Sequence, residues 1–503
     1  MPAAAKPSSR APTSVAAMRL WGFRAAAIGL GILPFLLLEL GLRIFGLPVL
    51  PPPVDPYLDL HNLRPLFQLN VSSDTLEIGA ERMNLFQPAS FARDKPEGAF
   101  RIFALGGSTT QGEPYSTQTA FPQWLQLNLQ AAAERSRNVE VVNCGGLSYA
   151  SYRVLAILRE VLDYQPDLIV IYTGHNEYLE RRTYAGYQKP SLRQHWTGLL
   201  GSLHMVQCAR GLAGQVAGRS APPTADTNDQ RTIITTEVDA LLDYQGGLAD
   251  YQRGDAWYEP IPAHFRWNLE QMVAACQSAD VPLILVRPVS NLLDCPPIKF
   301  EDDPRLSAVQ QQHFNQYWQA ARDPTVSLEE SVNELQAALA IDPQHAGAHY
   351  LLGQHQVQLG DFEPARQSLQ RAKDYDVCPL RAPTKIGAAV SQVASHYALP
   401  LVDAEAMFAD RSPHGLVGER WLVDHIHPNL DGHQLLGEAL AAACYENGLF
   451  NEPTGDWENR RRSLYRDHLA GLSEAYFQRG KQRLEGLLLW TQGRAKKVKT
   501  ALP

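Results

Sequence analysis

The chain has 503 residues, 45 Lys and Arg against 53 Asp and Glu, a formal net charge of −8 and 45% apolar residues. That composition can fill a core and excludes wholesale disorder, collagen and coiled-coil classes; its mild acidity argues against a nucleic-acid-binding surface. Six scattered cysteines (Cys144, Cys208, Cys276, Cys295, Cys378, Cys444) contain no CxxC pair, so neither a disulfide framework nor a zinc ribbon is encoded.

Residues 1–17 are rich in Ala, Pro and Ser and are expected to form a disordered cytoplasmic tail. From Leu20 to Leu47 the chain is mostly apolar, and Ala25–Leu38 carries no charge. A helix needs about 20 apolar residues to cross a bilayer, and Glu39 and Arg43 stand near one end, where long side chains snorkel. Residues 20–47 are therefore expected to be a transmembrane anchor. Lys6, Arg10, Arg19 and Arg24 precede the run, so the positive-inside rule predicts a cytoplasmic N-terminus and everything past Pro48 beyond the membrane. No A-x-A site follows the run, which favours a retained anchor over a cleaved signal peptide. Proline-rich Pro48–Val54 opens a linker and entry segment over 48–97.

Strands and helices then alternate. Phe100–Leu105 is a short apolar run broken sharply at Gly106-Gly107-Ser108-Thr109-Thr110, and a helical pattern covers Gln118–Ala133. A strand at Val139–Asn143 leads into the Cys144–Ser148 loop and a helix over Tyr149–Tyr164. Asp167–Tyr172 is a continuous apolar strand, as parallel sheets require, and it ends in Thr173-Gly174-His175-Asn176-Glu177. A helix at His264–Ala279 and strands at Val281–Arg287 and Leu399–Asp403 follow. Asp424-His425-Ile426-His427-Pro428 precedes a helix over Leu430–Tyr445. This order predicts an α/β fold, a doubly wound parallel sheet with helices on both faces.

Ser108 would stand at the carboxyl end of its strand, where such sheets hold their sites, with its own N–H ready to donate to an oxyanion. Taken alone the turn is a weak signal. It is not a G-x-S-x-G elbow, because Thr110 occupies the last glycine position.

Three segments interrupt or follow the alternation. In Ala346–Tyr375 the spacing of Leu352-Gly353, Ala365, Leu369 and Ala372 matches a tetratricopeptide repeat, and stepping back 34 residues finds Leu335 and Ala338. Residues 312–378 are thus expected to be an inserted all-α module of two helical hairpins, too few to stand alone and so packed on the core. Residues 181–261 are expected to form an insertion or lid, and 456–503 a C-terminal helical region.

Four strand-end loops carry polar groups in order: Ser108, Asn143–Ser148, Asn176, and Asp424 with His427. This order resembles the SGNH (GDSL-type) hydrolase superfamily in its membrane-anchored bacterial form, over residues 98–180, 262–300 and 395–447. Gly107-Ser108 looks like the nucleophile block, Gly174-His175-Asn176-Glu177 like the oxyanion-asparagine block, and Asp424–His427 like the Asp-x-x-His block. The first block departs from Gly-Asp-Ser, and Ser148 stands where the oxyanion glycine belongs.

The resemblance implies a flavodoxin-like α/β/α sandwich over 98–300 and 395–447. It implies a catalytic set of Ser108, Asp424 and His427, with oxyanion donors from Ser108, Asn176 and the loop carrying Gly146 and Ser148. Which N–H of that loop donates stays open at this level. No metal or cofactor is expected, since His425 and His427 lack further ligands at zinc spacing. The implied activity is a bacterial extracytoplasmic serine esterase acting on acyl esters, acetyl above all, of cell-envelope glycans or lipids. An O-acyltransferase with the same acyl-enzyme is the sibling reading. A scaffold binding a protein partner through 312–378 is the reading from another class.

Overall fold

The computed structural model describes residues 14–44, 55–59, 63–133, 138–182, 184, 205, 208, 232–243, 246–453 and 455–492. The chain divides into two units, one of residues 1–54 and 185–230, the other of 55–184 and 231–503. In the first, helix α1 runs from Ser14 to Ile44 and contains Pro34. Among the described residues no helix is long and apolar enough to cross a membrane. That reading of the expected span is partial. Residues 45–47, and the side chains of 14–20, 22, 25, 28 and 43, lie outside the described residues, as does 1–13 of the expected tail. Most of the expected 181–261 insertion and the basic end at 493–503 lie outside them too.

In the second unit the segment expected as linker and entry is instead partly a sheet. Strands β1 (Phe67–Asn70), β2 (Thr75–Ile78) and β3 (Ser90–Ala92) pair antiparallel, with Phe67 opposite Ile78 and Leu76 opposite Phe91. Their inward residues make one apolar face. Phe91 meets Phe67 edge-to-face at 4.9 Å and rests on Phe103 at 5.3 Å.

The central elements are β4 (Phe100–Gly106), the one-turn α2 (Ser108–Gln111), α3 (Phe121–Ala132), β5 (Val139–Gly145), α4 (Ser151–Val161), β6 (Leu168–Tyr172), α5 (Ile261–Ser278) and β7 (Leu283–Arg287). The inserted helices follow: α6 (Ala308–Ala320), α7 (Leu328–Ile341), α8 (Ala346–Leu359) and α9 (Phe362–Asp374). Then come α10 (Thr384–His396), β8 (Leu401–Asp403), α11 (Ala404–Asp410), α12 (Leu430–Glu446), α13 (Trp457–Ala470) and α14 (Glu474–Thr491).

The five core strands lie in the order β8-β7-β6-β4-β5, all parallel. This is the flavodoxin-like order read from one edge. Strand alternation splits the core in two. Phe103, Leu105, Ile169 and Ile171 face α4, α5 and α10 through Leu155, Phe265 and Val390. Ile102, Ala104, Val170 and Tyr172 face α3 and α12 through Phe121, Leu125 and Leu440. Both faces are covered, as a parallel sheet needs. The topological switch falls between β4 and β6, so the loops after these strands border a crevice.

The inserted helices pair as expected, starting at Ala308 rather than 312. Capping boxes at Ser307/Gln310 and Ser327/Glu330 start α6 and α7. Ala365, Leu369 and Ala372 are buried where α9 meets α8. The insertion is also closed at its base. Asp376 accepts the Ile298 and Lys299 N–H groups at 2.7 and 3.0 Å, and Val377 N–H donates to Lys299 O at 2.9 Å. The buried Arg381 guanidinium bonds the Asn291 and Cys295 carbonyls at 3.0 and 2.6 Å. The expected C-terminal helical region holds two helices, α13 and α14, separated at Gly471.

Candidate active site

Ser108 follows the tight turn at the end of β4. Gly107 allows a close approach there: a Cβ at Gly107 would lie 2.5 Å from Asn176 Nδ2. Register brings the blocks together, since Gly106 is level with Gly145 on one side and Tyr172 on the other. The Asn143 side chain ties two of them. Its Nδ2 donates to Thr110 O at 2.8 Å and its Oδ1 accepts from Gly145 N–H at 2.9 Å.

Although 319 residues apart, Ser108 and His427 meet: Ser108 Oγ is 2.7 Å from His427 Nε2. His427 Nδ1 is 2.6 Å from Asp424 Oδ2, while Asp424 Oδ1 accepts the Ile426 and His427 N–H groups at 2.8 Å each. An ionised carboxylate only accepts, so His427 carries its proton on Nδ1 and turns a lone pair toward Ser108. Burial pushes the Asp424 carboxyl up, but the charges of and bonds to His427 and His425 hold it well below the usual carboxylate range. Burial pushes the His427 imidazole down. Asp424 outweighs that and leaves His427 above its ordinary 6.5. The three side chains are therefore arranged to move a proton from Ser108 to His427 while Asp424 stabilises the imidazolium.

The expected oxyanion donors separate into two groups. The Gly146 N–H is spent on Gly106 O at 3.1 Å, so Gly146 is corrected to a structural role. Its neighbours are spent too: Leu147 N–H donates to Leu85 O at 2.8 Å and Tyr149 N–H to Gly146 O at 3.3 Å. Ser148 sits in the left-handed region at φ 59°, and among the described residues its N–H has no protein acceptor. Asn176 Nδ2 is held by Tyr149 O at 3.1 Å, which fixes its amide and leaves its second N–H. Ser108, Ser148 and Asn176 all line one cleft of about 510 Å³.

Neighbouring groups brace the site. Glu177 accepts the Ser151 N–H and Oγ–H at 2.7 and 3.0 Å, fixing the start of α4. His425 is buried, with Nδ1 3.5 Å from Asp424 Oδ2, and lines the cleft. Asp424, His425 and His427 are close enough to hold a metal ion, but Asp424 already spends both oxygens within the loop. His175 accepts the Ala382 N–H at 3.2 Å, and burial, with the charges of His425 and His427, holds it neutral.

Sequence reasoning missed much of the cleft. Met83, Asn84 and Gln87 enter from the segment after β2, Leu380 from the exit of the insertion, and Arg483, Gly486, Leu487 and Trp490 from α14. Residues 456–503 were expected to be helical, but nothing in their sequence placed them at the cleft.

Known proteins place these features in a family. The GDSL-like lipase/acylhydrolase family matches residues 104–347, and a tetratricopeptide repeat matches 327–377. The Asp424–His427 block lies beyond the first match and is joined to Ser108 by geometry alone. No curated protein matches the chain. Solved structures similar to it include a lipase/acylhydrolase from Enterococcus faecalis, at 15% identity and TM-score 0.32 over 71% of this chain and 100% of that one. An acetylxylan esterase from Geobacillus stearothermophilus has 14% identity and TM-score 0.30 over 69% and 94%. A lipolytic protein of the G-D-S-L family from Desulfitobacterium hafniense DCB-2 has 12% identity and TM-score 0.29 over 68% and 98%. With that family match, its ordered strand-end blocks and its parallel sheet, the chain carries a GDSL-like lipase/acylhydrolase domain, an SGNH-type ester hydrolase interrupted by tetratricopeptide-repeat helices.

Proposed function

We propose that the protein is an extracytoplasmic serine esterase that removes acyl groups, acetyl above all, from cell-envelope glycans through an acyl-enzyme on Ser108. The observation that carries this reading is the unbroken Ser108–His427–Asp424 chain, at 2.7 and 2.6 Å, opening on a cleft. Ser108 Oγ attacks the ester carbonyl carbon as His427 Nε2 takes its proton. The oxyanion is met by the N–H groups of Ser108 and Ser148 and the Asn176 amide. Collapse breaks the ester C–O bond, and the alcohol leaves with the proton from His427. Water then repeats the sequence on the acyl-enzyme, with His427 as base, and releases the acid.

The same reading includes an anchor. It is supported by the uncharged run Ala25–Leu38 and by the exposure of Leu30, Ile32, Leu33, Phe35, Leu36, Leu37 and Leu38 on α1. A protein partner for the inserted repeats belongs to the proposal too, since such repeats offer a concave face to partners.

The test is fluorophosphonate labelling followed by assay on acetylated glycans, with and without a sugar acceptor. Labelling that maps to Ser108, disappears in Ser108→Ala and accompanies acetate release supports the reading. Labelling at another serine overturns it, and acetate appearing on the acceptor rather than in solution makes the enzyme a transferase.

A further inference from the structure

One wall of the Ser108 cleft comes from α14, far along the chain from every motif block. Arg483, Gly486, Leu487 and Trp490 reach the cleft from it. The helix is fastened at both ends. The Tyr476 hydroxyl pairs with Thr119 Oγ1 at 2.8 Å, and Trp490 Nε1–H donates to Asp243 Oδ1 at 2.9 Å. Between these points Arg483 lies 3.6 Å from Glu113, which also lines the cleft.

The two interior glycines of α14 differ. Glycine inside a helix is destabilising relative to alanine, so each position calls for a reason. At Gly480 the reason is packing, since a Cβ there would run into the Tyr115 ring. At Gly486 a Cβ would meet nothing within 4 Å. No protein contact accounts for this exposed glycine, and it lines the cleft.

We infer that α14 builds the subsite for the sugar ring bearing the ester, with Gly486 as its floor; this rests on the esterase reading above. The surroundings suit that occupant. Leu487 and the half-buried Trp490 indole give apolar surface for the C–H face of a pyranose. Arg483, Glu113, Asn84 and Gln87 stand around the same cleft as donors and acceptors for ring hydroxyls. Each already holds one protein partner, since Arg483 lies beside Glu113, Asn84 donates to Glu237 and Gln87 Oε1 accepts from Ser116 Oγ at 3.3 Å, and their remaining donors and acceptors suit ring hydroxyls better than a plain acyl chain.

Filling the floor tests the idea. Gly486→Leu adds bulk where the protein has none, and Gly486→Ala adds a single methyl with less risk to folding. For each, kcat/KM is measured on partially acetylated oligosaccharides, on vinyl acetate and on vinyl octanoate. The saccharide-to-vinyl-acetate ratio should fall at least tenfold in Gly486→Leu and less in Gly486→Ala, with melting temperatures no lower than wild type. A ratio within twofold of wild type overturns the inference, as does an equal loss on all substrates. A penalty confined to vinyl octanoate assigns the floor to the acyl chain and also overturns it. Wild-type protein that takes no fluorophosphonate and cleaves no ester sinks the esterase reading itself. Wild-type protein that labels and cleaves vinyl acetate, yet spares every saccharide, sinks only the sugar subsite.

Discussion

Replacing Asp424 by Asn tests the proton path with almost no change of shape. The Asp424 Oδ1 atom is fixed by the Ile426 and His427 N–H groups at 2.8 Å each. An asparagine must keep its carbonyl oxygen there, because its amide nitrogen cannot accept those donors. The NH₂ group then faces His427 Nδ1 at the position of the present 2.6 Å contact. Two donors cannot face each other, so the imidazole moves its proton to Nε2, the nitrogen that now accepts from Ser108. The base is disabled and the charge that would steady its cation is gone. Loss of this kind is worth about 10⁴ in kcat, or roughly 5.5 kcal/mol of barrier. Ester turnover and the rate of fluorophosphonate labelling should fall together, while the melting temperature moves by only a few degrees. The pH profile adds a second reading. Wild-type kcat/KM needs neutral His427, so it should fall with decreasing pH through a value above 6.5. Without the carboxylate, burial lowers His427 against only the lesser pull of Glu113, and the residual activity of Asp424→Asn should keep its acid limb at lower pH. A variant within tenfold of wild type, with its acid limb unmoved, would refute the proposed proton path.

Asn176→Ala removes one oxyanion donor and should cost about 10²–10³ in kcat with little change in KM; a purely KM effect would show that the amide binds substrate rather than the transition state. Ala365→Arg forces a charged side chain between α8 and α9, where Ala365 is fully buried. It should destabilise the protein by about 1–3 kcal/mol or more, opening residues 308–374 to protease while Ser108 still labels. Loss of labelling in a folded variant would make the repeats part of the catalytic architecture. A reporter fused after Pro503 should be active only beyond the membrane, and cytoplasmic reporter activity would overturn the proposed extracytoplasmic location.

The sequence was readable wherever function sits at strand ends. Continuous apolar runs such as Leu168–Tyr172 mark buried parallel strands, and the polar residues after them fall beside one another because register does the alignment. The small-residue spacing around Ala365 and Ala372 was readable for the same reason, since helix contact demands it. The antiparallel sheet at 67–92 was missed although Phe67–Asn70 and Thr75–Ile78 are extended runs around a turn at Asp74, with φ 52°. Prolines nearby drew the reading toward a linker. Gly146 and Ser148 could not be told apart, because the choice depends on a bond from Gly146 to Gly106 across two strand ends. The α14 wall had no local signal at all, being a product of long-range packing.

The tied base of the inserted helices has a consequence for how such a chain can change. Lys299 and Val377 are joined, with Asp376 clasping the incoming segment, so residues 300–376 leave and rejoin the core through a fixed neck, helped by Tyr350 on Leu293 O and Arg253 on Asp342. Once a loop is closed, lengthening it is entropically cheap, because the closure cost grows only with the logarithm of length. Adding one further 34-residue repeat to this loop would cost about 0.3 kcal/mol on that basis. The neck therefore works as a socket. Repeat number and surface can drift, or be exchanged by design, while Asp424 and His427 still arrive at Ser108 in the same place.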